Sequence, residues 1–169
     1  EWRTQFPAIP GIATPRGPSD FPLYDYGLEA GVQTILPPRV AQPEGYAVLI
    51  PAVDADGNDL GGVRAPMVAA PLATYTAWNL RARKNAAGAL HEYTGSTIPF
   101  AETEAERAAT GDPRPSIEAR YGNAAGYVAA ITAAAEALVA QRLMLAEDLP
   151  RVARAARHWH APRHAVDLP

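Results

Sequence analysis

The chain has 169 residues, 15 basic and 18 acidic side chains and a formal charge of −3, enough for about one domain and without the basic stripe that nucleic-acid binding requires. Cysteine is absent, which excludes a disulfide framework, a thiolate nucleophile and cysteine-ligated zinc. No apolar run approaches the roughly 20 residues that span a bilayer.

The first residue is Glu1 rather than methionine, and the expectation is that sequence upstream of it has been removed. No secretory pattern opens the chain, so the compartment stays open between cytoplasmic and exported. Residues 1–43 carry eight prolines, interleaved with Trp2, Phe6, Ile9, Phe21, Leu23, Tyr24 and Tyr26. Proline interrupts sheet and helix alike, while the aromatic content is too apolar for a solvated linker. Residues 1–45 are therefore predicted to form an extended, polyproline-like strap laid on another surface.

Residues 46–51 (YAVLIP) have strand character, and Gly61–Gly62–Val63–Arg64 is expected to pair back onto them, giving a hairpin over about 46–66. Between them lies DADGND, with Asp54, Asp56 and Asp59 as candidate metal ligands. An EF-hand loop wants glycine sixth and a bidentate glutamate twelfth; here glycine is fourth and the twelfth position is Ala65. An Asp-Gly step between apolar runs is instead a hairpin-turn signal, and the turn is the reading adopted.

Thr74, Tyr75, Thr76 and Trp78 suit a pleated, half-buried segment, followed by an exposed loop over 79–90. Tyr75, Trp78, Asn79 and Arg81 gather an aromatic pair, an amide and a guanidinium and are the candidate substrate-proximal residues. The competing reading has Trp78 filling a core and Arg81 solvated.

Helices are predicted over about 104–158. Thr103 and Glu106 form a capping box, with a stop at Thr110–Gly111. Ser116 caps a turn through Arg120, and Gly122–Asn123 precedes the longest helix, about 124–145, roughly 33 Å long. Its apolar stripe is Tyr127, Ile131, Ala134, Leu138 and Leu145. A last helix runs from about Glu147 to His158, with Pro150 in its first turn, and residues 159–169 form a flexible tail.

The three serines offer no nucleophile elbow. Ser19 and Ser96 each lack a glycine of G-x-S-x-G, and Ser116 is a helix cap. His91 stands alone, and His158, His160 and His164 do not share a helical face or a partnering carboxylate. No catalytic residue is assigned and no cofactor is implied.

In this order, IPAVDADGNDLGGVRAPMVAAPLATYTAWNLR, GSTIPFAETEAERAATGDPRPSIEARYG and YVAAITAAAEALVAQRLMLAED resemble the C-terminal region of bacterial proteins described as alpha/beta-hydrolase domain-containing. The resemblance runs from about Phe6 to Asp148, and PLATYTAWNLR and GDPRPSIEARYG are its most specific parts; the tail RHWHAPRHAVDLP departs from it. It implies a partner, the upstream catalytic polypeptide of the same protein, holding the serine, acid and histidine of an esterase-like hydrolase. The chain itself then acts as packing, lid or interface, with an oligomer left open. The alternative is a free-standing binding or structural protein. The expected architecture is α+β with helix dominating: strap, one hairpin, helical C-terminal half.

Overall fold

The computed structural model of the chain describes residues 6–14, 23–29, 31–42, 51–81, 88–91 and 93–157. It divides into two compact units, one of Glu1–Ala13 with Pro51–Pro169 and the other of Thr14–Ile50.

In the smaller unit, β1 (Leu23–Asp25) pairs antiparallel with β2 (Arg39–Gln42), with a register irregularity between Leu23 and Tyr24. The connection is held by its own backbone: Ile35 N–H donates to the Tyr26 carbonyl at 3.0 Å, and Val32 and Gln33 N–H both donate to the Glu29 carbonyl at 2.8 Å. The strap expectation is corrected here, because residues 23–42 contain a hairpin. Pro37 and Pro38 fall in the connection, and Arg39–Gln42 beyond them keeps every donor needed for a ladder.

The larger unit mixes helix with small sheets. Its first helix among the described residues, α1 (Pro66–Ala69), opens on Pro66, whose missing N–H is not needed there. The strands β3 (Ala73–Thr76), β4 (Asn79–Leu80), β5 (Leu90–His91) and β6 (Ser96–Pro99) form two antiparallel pairs, β3 with β6 and β4 with β5. The predicted loop over 79–90 is thus bounded by strands. Because β3 and β6 place Thr76 opposite Ser96, the chain between must return on itself, and Asn79 meets His91.

Residues 54–59 form the predicted turn. Val53 bridges Asp59, Leu60 N–H donates to the Ala52 carbonyl, and Gly57 N–H donates to the Asp54 carbonyl. The predicted strand at 46–50 lies outside the described residues. The return strand at 61–64 does not form: the pairing ends at Leu60, and Gly62, at φ +75°, directs the chain toward α1.

The helical part follows its caps. In α2 (Glu104–Thr110), Thr103 Oγ1 accepts from Glu106 N–H and Glu106 Oε2 accepts from Thr103 N–H, and Gly111 ends the helix in the left-handed region at φ 71°. Ser116 caps α3 (Ile117–Tyr121), and Asn123 caps α4 (Ala124–Ala140) by accepting from Ala125 and Gly126 N–H.

Helix α4 ends five residues before the predicted Leu145. Arg142 adopts φ 59°, Arg142 N–H donates to Val139 and Leu143 N–H to Leu138, which is the bond pair of a Schellman cap. Leu145 is consequently exposed rather than on the buried stripe. A 3-10 turn (Ala146–Asp148) leads into α5 (Leu149–Ala155), with Pro150 in its first turn.

One apolar core joins these elements: Ala70, Leu72, Phe100, Ile117, Tyr127, Ile131 and Ala156, with Val128 and Val152 packed against it. Helix α4 contributes Tyr127, Ile131 and Ala135 at i, i+4 and i+8. Among the described residues, no helix is long and apolar enough to cross a membrane.

Candidate functional site

The most concentrated polar chemistry among the described residues joins the 54–59 turn to β3, β6 and α3. The turn is tied within itself first. Asp54 Oδ1 accepts from the backbone N–H of Asp56 and Asn58, at 3.0 and 2.9 Å, while Oδ2 accepts from Arg64 Nη2 at 2.7 Å. An aspartate bonding its own backbone two residues on is an Asx turn, and Arg64 fixes its free oxygen.

Asn58 then docks the turn onto the sheet. Its side chain is fully buried; Oδ1 accepts from Tyr75 N–H at 2.8 Å and Nδ2 donates to the Ala73 carbonyl at 3.2 Å. Since Ala73 and Tyr75 point to one edge of β3 and β6 uses the other, the carboxamide replaces a neighbouring strand. An Asn side chain carries one acceptor and one donor pair in the spacing a peptide presents.

Arg114 closes the assembly from the helical side. It is 2 % exposed. Nε and Nη2 grip Asp112 through Oδ1 at 3.0 Å and Oδ2 at 2.6 Å; Nη1 donates to Thr74 Oγ1 and the Ile98 carbonyl; Nη2 also donates to the Pro99 carbonyl. All five guanidinium donors are thereby used, which is what a buried arginine needs. Thr74 Oγ1, in turn, donates to the Asp56 carbonyl. The Arg120 guanidinium pairs with the Asp56 carboxylate and lies 4.2 Å from the Phe100 ring centroid; Arg114 lies 4.9 Å from the same ring.

The electrostatics follow from that geometry. Burial would raise the Asp112 carboxyl, but the hydrogen bonds and charge of Arg114, with Arg107 adding, hold it below the ordinary value. Burial pushes the Tyr121 and Tyr127 phenols up to about 12, and Tyr75 upward against an opposing bond to Leu72. Phenols shifted this way stay neutral near pH 7 and hold protons rather than accept them.

A family model described as "Alpha/beta hydrolase domain" matches residues 24–154, that is 131 of the 169 residues. The chain belongs to the alpha/beta hydrolase domain family. No curated protein and no solved structure matches it. In this hydrolase-family chain the matched span contains every member of the interlock, and the two segments most specific in sequence, 71–81 and 111–122, are the ones that meet through Thr74 and Arg114.

The residues singled out in sequence have separate fates. Tyr75 is half-buried in β3; Trp78 packs edge-on against Phe6 at 5.5 Å, and its carbonyl accepts from Thr76 Oγ1 and Ser96 Oγ. Asn79 is exposed and bonds the adjacent Leu80 N–H, while exposed Arg81 donates from Nε to the Leu90 carbonyl at 3.3 Å. Asp54 and Asp56 are both paired with arginine, and Asp59 bridges Val53 through its backbone. Among the described residues no group of three or more His, Asp or Glu side chains converges for a metal.

Ser96 and Ser116 spend their hydroxyls on the Trp78 carbonyl and on the α3 cap, where Ser116 Oγ also contacts Glu104 Oε2 at 3.3 Å. His91 Nδ1 lies 3.1 Å from Thr94 Oγ1. Ser19, His158, His160 and His164 lie outside the described residues. Sequence reasoning missed Arg114, Arg120, Asn58 and Thr74, whose partners are 15 to 64 positions away; the signal was the charged pair Asp112 and Arg114 alternating with Pro113 and Pro115.

Proposed function

We propose that this chain is the C-terminal accessory region of an esterase-like alpha/beta hydrolase, whose serine nucleophile belongs to polypeptide upstream of Glu1. It serves as a rigid packing and interface element for that catalytic part. The observation that carries this reading is the interlock itself: its strongest ionic groups, Arg114, Asp112, Arg120 and Asp56, are engaged with one another. Such a network holds a shape. A catalytic group needs a pKa near the operating pH and reach to a substrate proton, whereas these groups are committed to internal partners.

Within this reading Asn79 and Arg81, exposed on and beside β4, are the side chains that would face a substrate, together with half-buried Tyr75 and Trp78. Carboxylic esters are the substrate class proposed. The experiment expresses the chain alone and together with its upstream polypeptide and measures p-nitrophenyl ester hydrolysis. Turnover is expected from the pair and not from the isolated chain. Robust turnover by the isolated chain overturns the proposal.

A further inference from the structure

One peptide of the 54–59 turn differs chemically from every other in the chain. Asp56–Gly57 is the single Asp-Gly step in the sequence, and no Asn-Gly step occurs. Glycine has no Cβ to shield its nitrogen, so an Asp-Gly pair is the step most open to attack by that nitrogen on the preceding carboxyl carbon. The fold requires the glycine here: its φ is +83°, and an added Cβ would crowd Phe6, Pro7 and Thr74. The demand that shapes the turn therefore also installs the reactive pair.

The reaction is internal. The Gly57 nitrogen bonds to Asp56 Cγ, one carboxyl oxygen leaves as water with the amide proton and the carboxyl proton, and a five-membered succinimide results. Water then adds to either ring carbonyl. Breaking the Cγ–N bond restores aspartate. Breaking the bond between the nitrogen and the main-chain carbonyl carbon leaves the chain running through Cβ and Cγ, as isoaspartate. Water is the sole co-reactant and is returned.

Every group that must move is held. Ring closure turns the 56–57 peptide plane and brings the carboxyl carbon onto the nitrogen. That peptide is pinned at both ends: its carbonyl accepts from Thr74 Oγ1, and its N–H donates to the Asp54 carbonyl at 2.9 Å. The Asp56 carboxylate is paired with the Arg120 guanidinium, and the side chain is 13 % exposed. Thr74 belongs to β3 and Arg120 to α3, so releasing the step takes the loss of tertiary bonds and not of the local turn alone.

We infer that Asp56–Gly57 is a modification site held shut by the fold: Thr74, Asp54 and Arg120 keep Asp56 as aspartate, and the step converts to isoaspartate once those bonds open. Isoaspartate adds a methylene to the backbone and takes one from the side chain, which moves carboxylate and carbonyl out of register with Arg120 and Thr74. The conversion thus unties the turn from the helical part. This inference is independent of the hydrolase reading above.

The test incubates the full chain at neutral pH for several weeks and quantifies isoaspartate at position 56 by peptide mapping with electron-transfer fragmentation, which distinguishes the two isomers. Conversion is expected to be slow in the folded wild type and at least roughly tenfold faster in guanidinium chloride, where no opening is needed. Under native conditions Arg120→Ala is expected to raise it roughly 5- to 30-fold, the population shift that follows the loss of one strong interaction. Ile131→Val, a core change that removes no bond of the turn, is expected to leave it near wild type. Equal rates in folded and unfolded wild type overturn the inference, and so do equal rates in Arg120→Ala and wild type. A rise in Ile131→Val as large as that in Arg120→Ala also overturns it, because control would then lie in global unfolding. The folded-against-unfolded comparison decides even where Arg120→Ala does not fold.

Discussion

Two turns of this molecule solve the same problem by different means. The connection between β1 and β2 and the 54–59 turn are both ordered by bonds inside the loop: Val32, Gln33 and Ile35 N–H in one, Asp54 Oδ1 and its carbonyl in the other. The second is tied to distant elements. Asn58, Asp56 and the Asp56 carbonyl bind β3, Arg120 and Thr74, whereas the first presents Leu28, Val32 and Leu36 almost wholly to solvent. Local backbone bonds set the course of a loop. What makes a loop part of a fold is the set of long-range polar bonds it cannot drop without leaving a buried group unpaired.

The comparison breaks first at Arg114. Arg114→Ala removes five hydrogen bonds and leaves Asp112 in a site built for an ion pair, so a loss of about 3–5 kcal/mol is expected. Urea unfolding of the variant measures it, and a midpoint equal to wild type would remove Arg114 from its assigned place. Next comes Gly57, at φ +83°, where an added Cβ would stand 2.8 Å from Phe6 and 3.1 Å from Pro7 and Thr74. Gly57→Ala is expected to lower stability by about 1–3 kcal/mol through the left-handed backbone and the crowding, read as a drop in melting temperature.

Acid sharpens the contrast. Asp112 has a folded pKa below its unfolded one, so it contributes stability that is complete above the ordinary carboxylate value of about 3.9 and is lost as pH falls through the lowered folded value. The melting temperature should therefore fall below about pH 4, and Asp112→Asn should flatten that part of the profile. The smallest effect belongs to the exposed connection. Leu28→Ser and Val32→Ser are expected to change stability by no more than about 0.5 kcal/mol, measured by the same unfolding curves.

Much of the helical part was legible. Capping depends on residues within a few positions of one another, so Thr103 with Glu106, Gly111, Ser116 and Asn123 announced their helix ends correctly. The end of α4 was not legible, because its left-handed cap position holds Arg142 rather than the glycine or asparagine that would mark such a stop in sequence. The turn reading of DADGND rested on local chemistry and the observed bonds agree with it. Its partners could not be read, since nothing in the sequence brings Asp56 to Arg120 across 64 positions. β4 and β5 are two residues each and owe their pairing to the outer β3–β6 ladder, so no periodicity of their own marks them.

The central claim is that Asp56 of the 54–59 turn ties the turn to the helical half through Arg120. A double-mutant cycle on Asp56→Ala and Arg120→Ala tests it most directly. The account predicts that the two losses overlap, with a coupling of about 1–3 kcal/mol in urea unfolding. Strictly additive losses would show that the pair does not act as a unit and would contradict it.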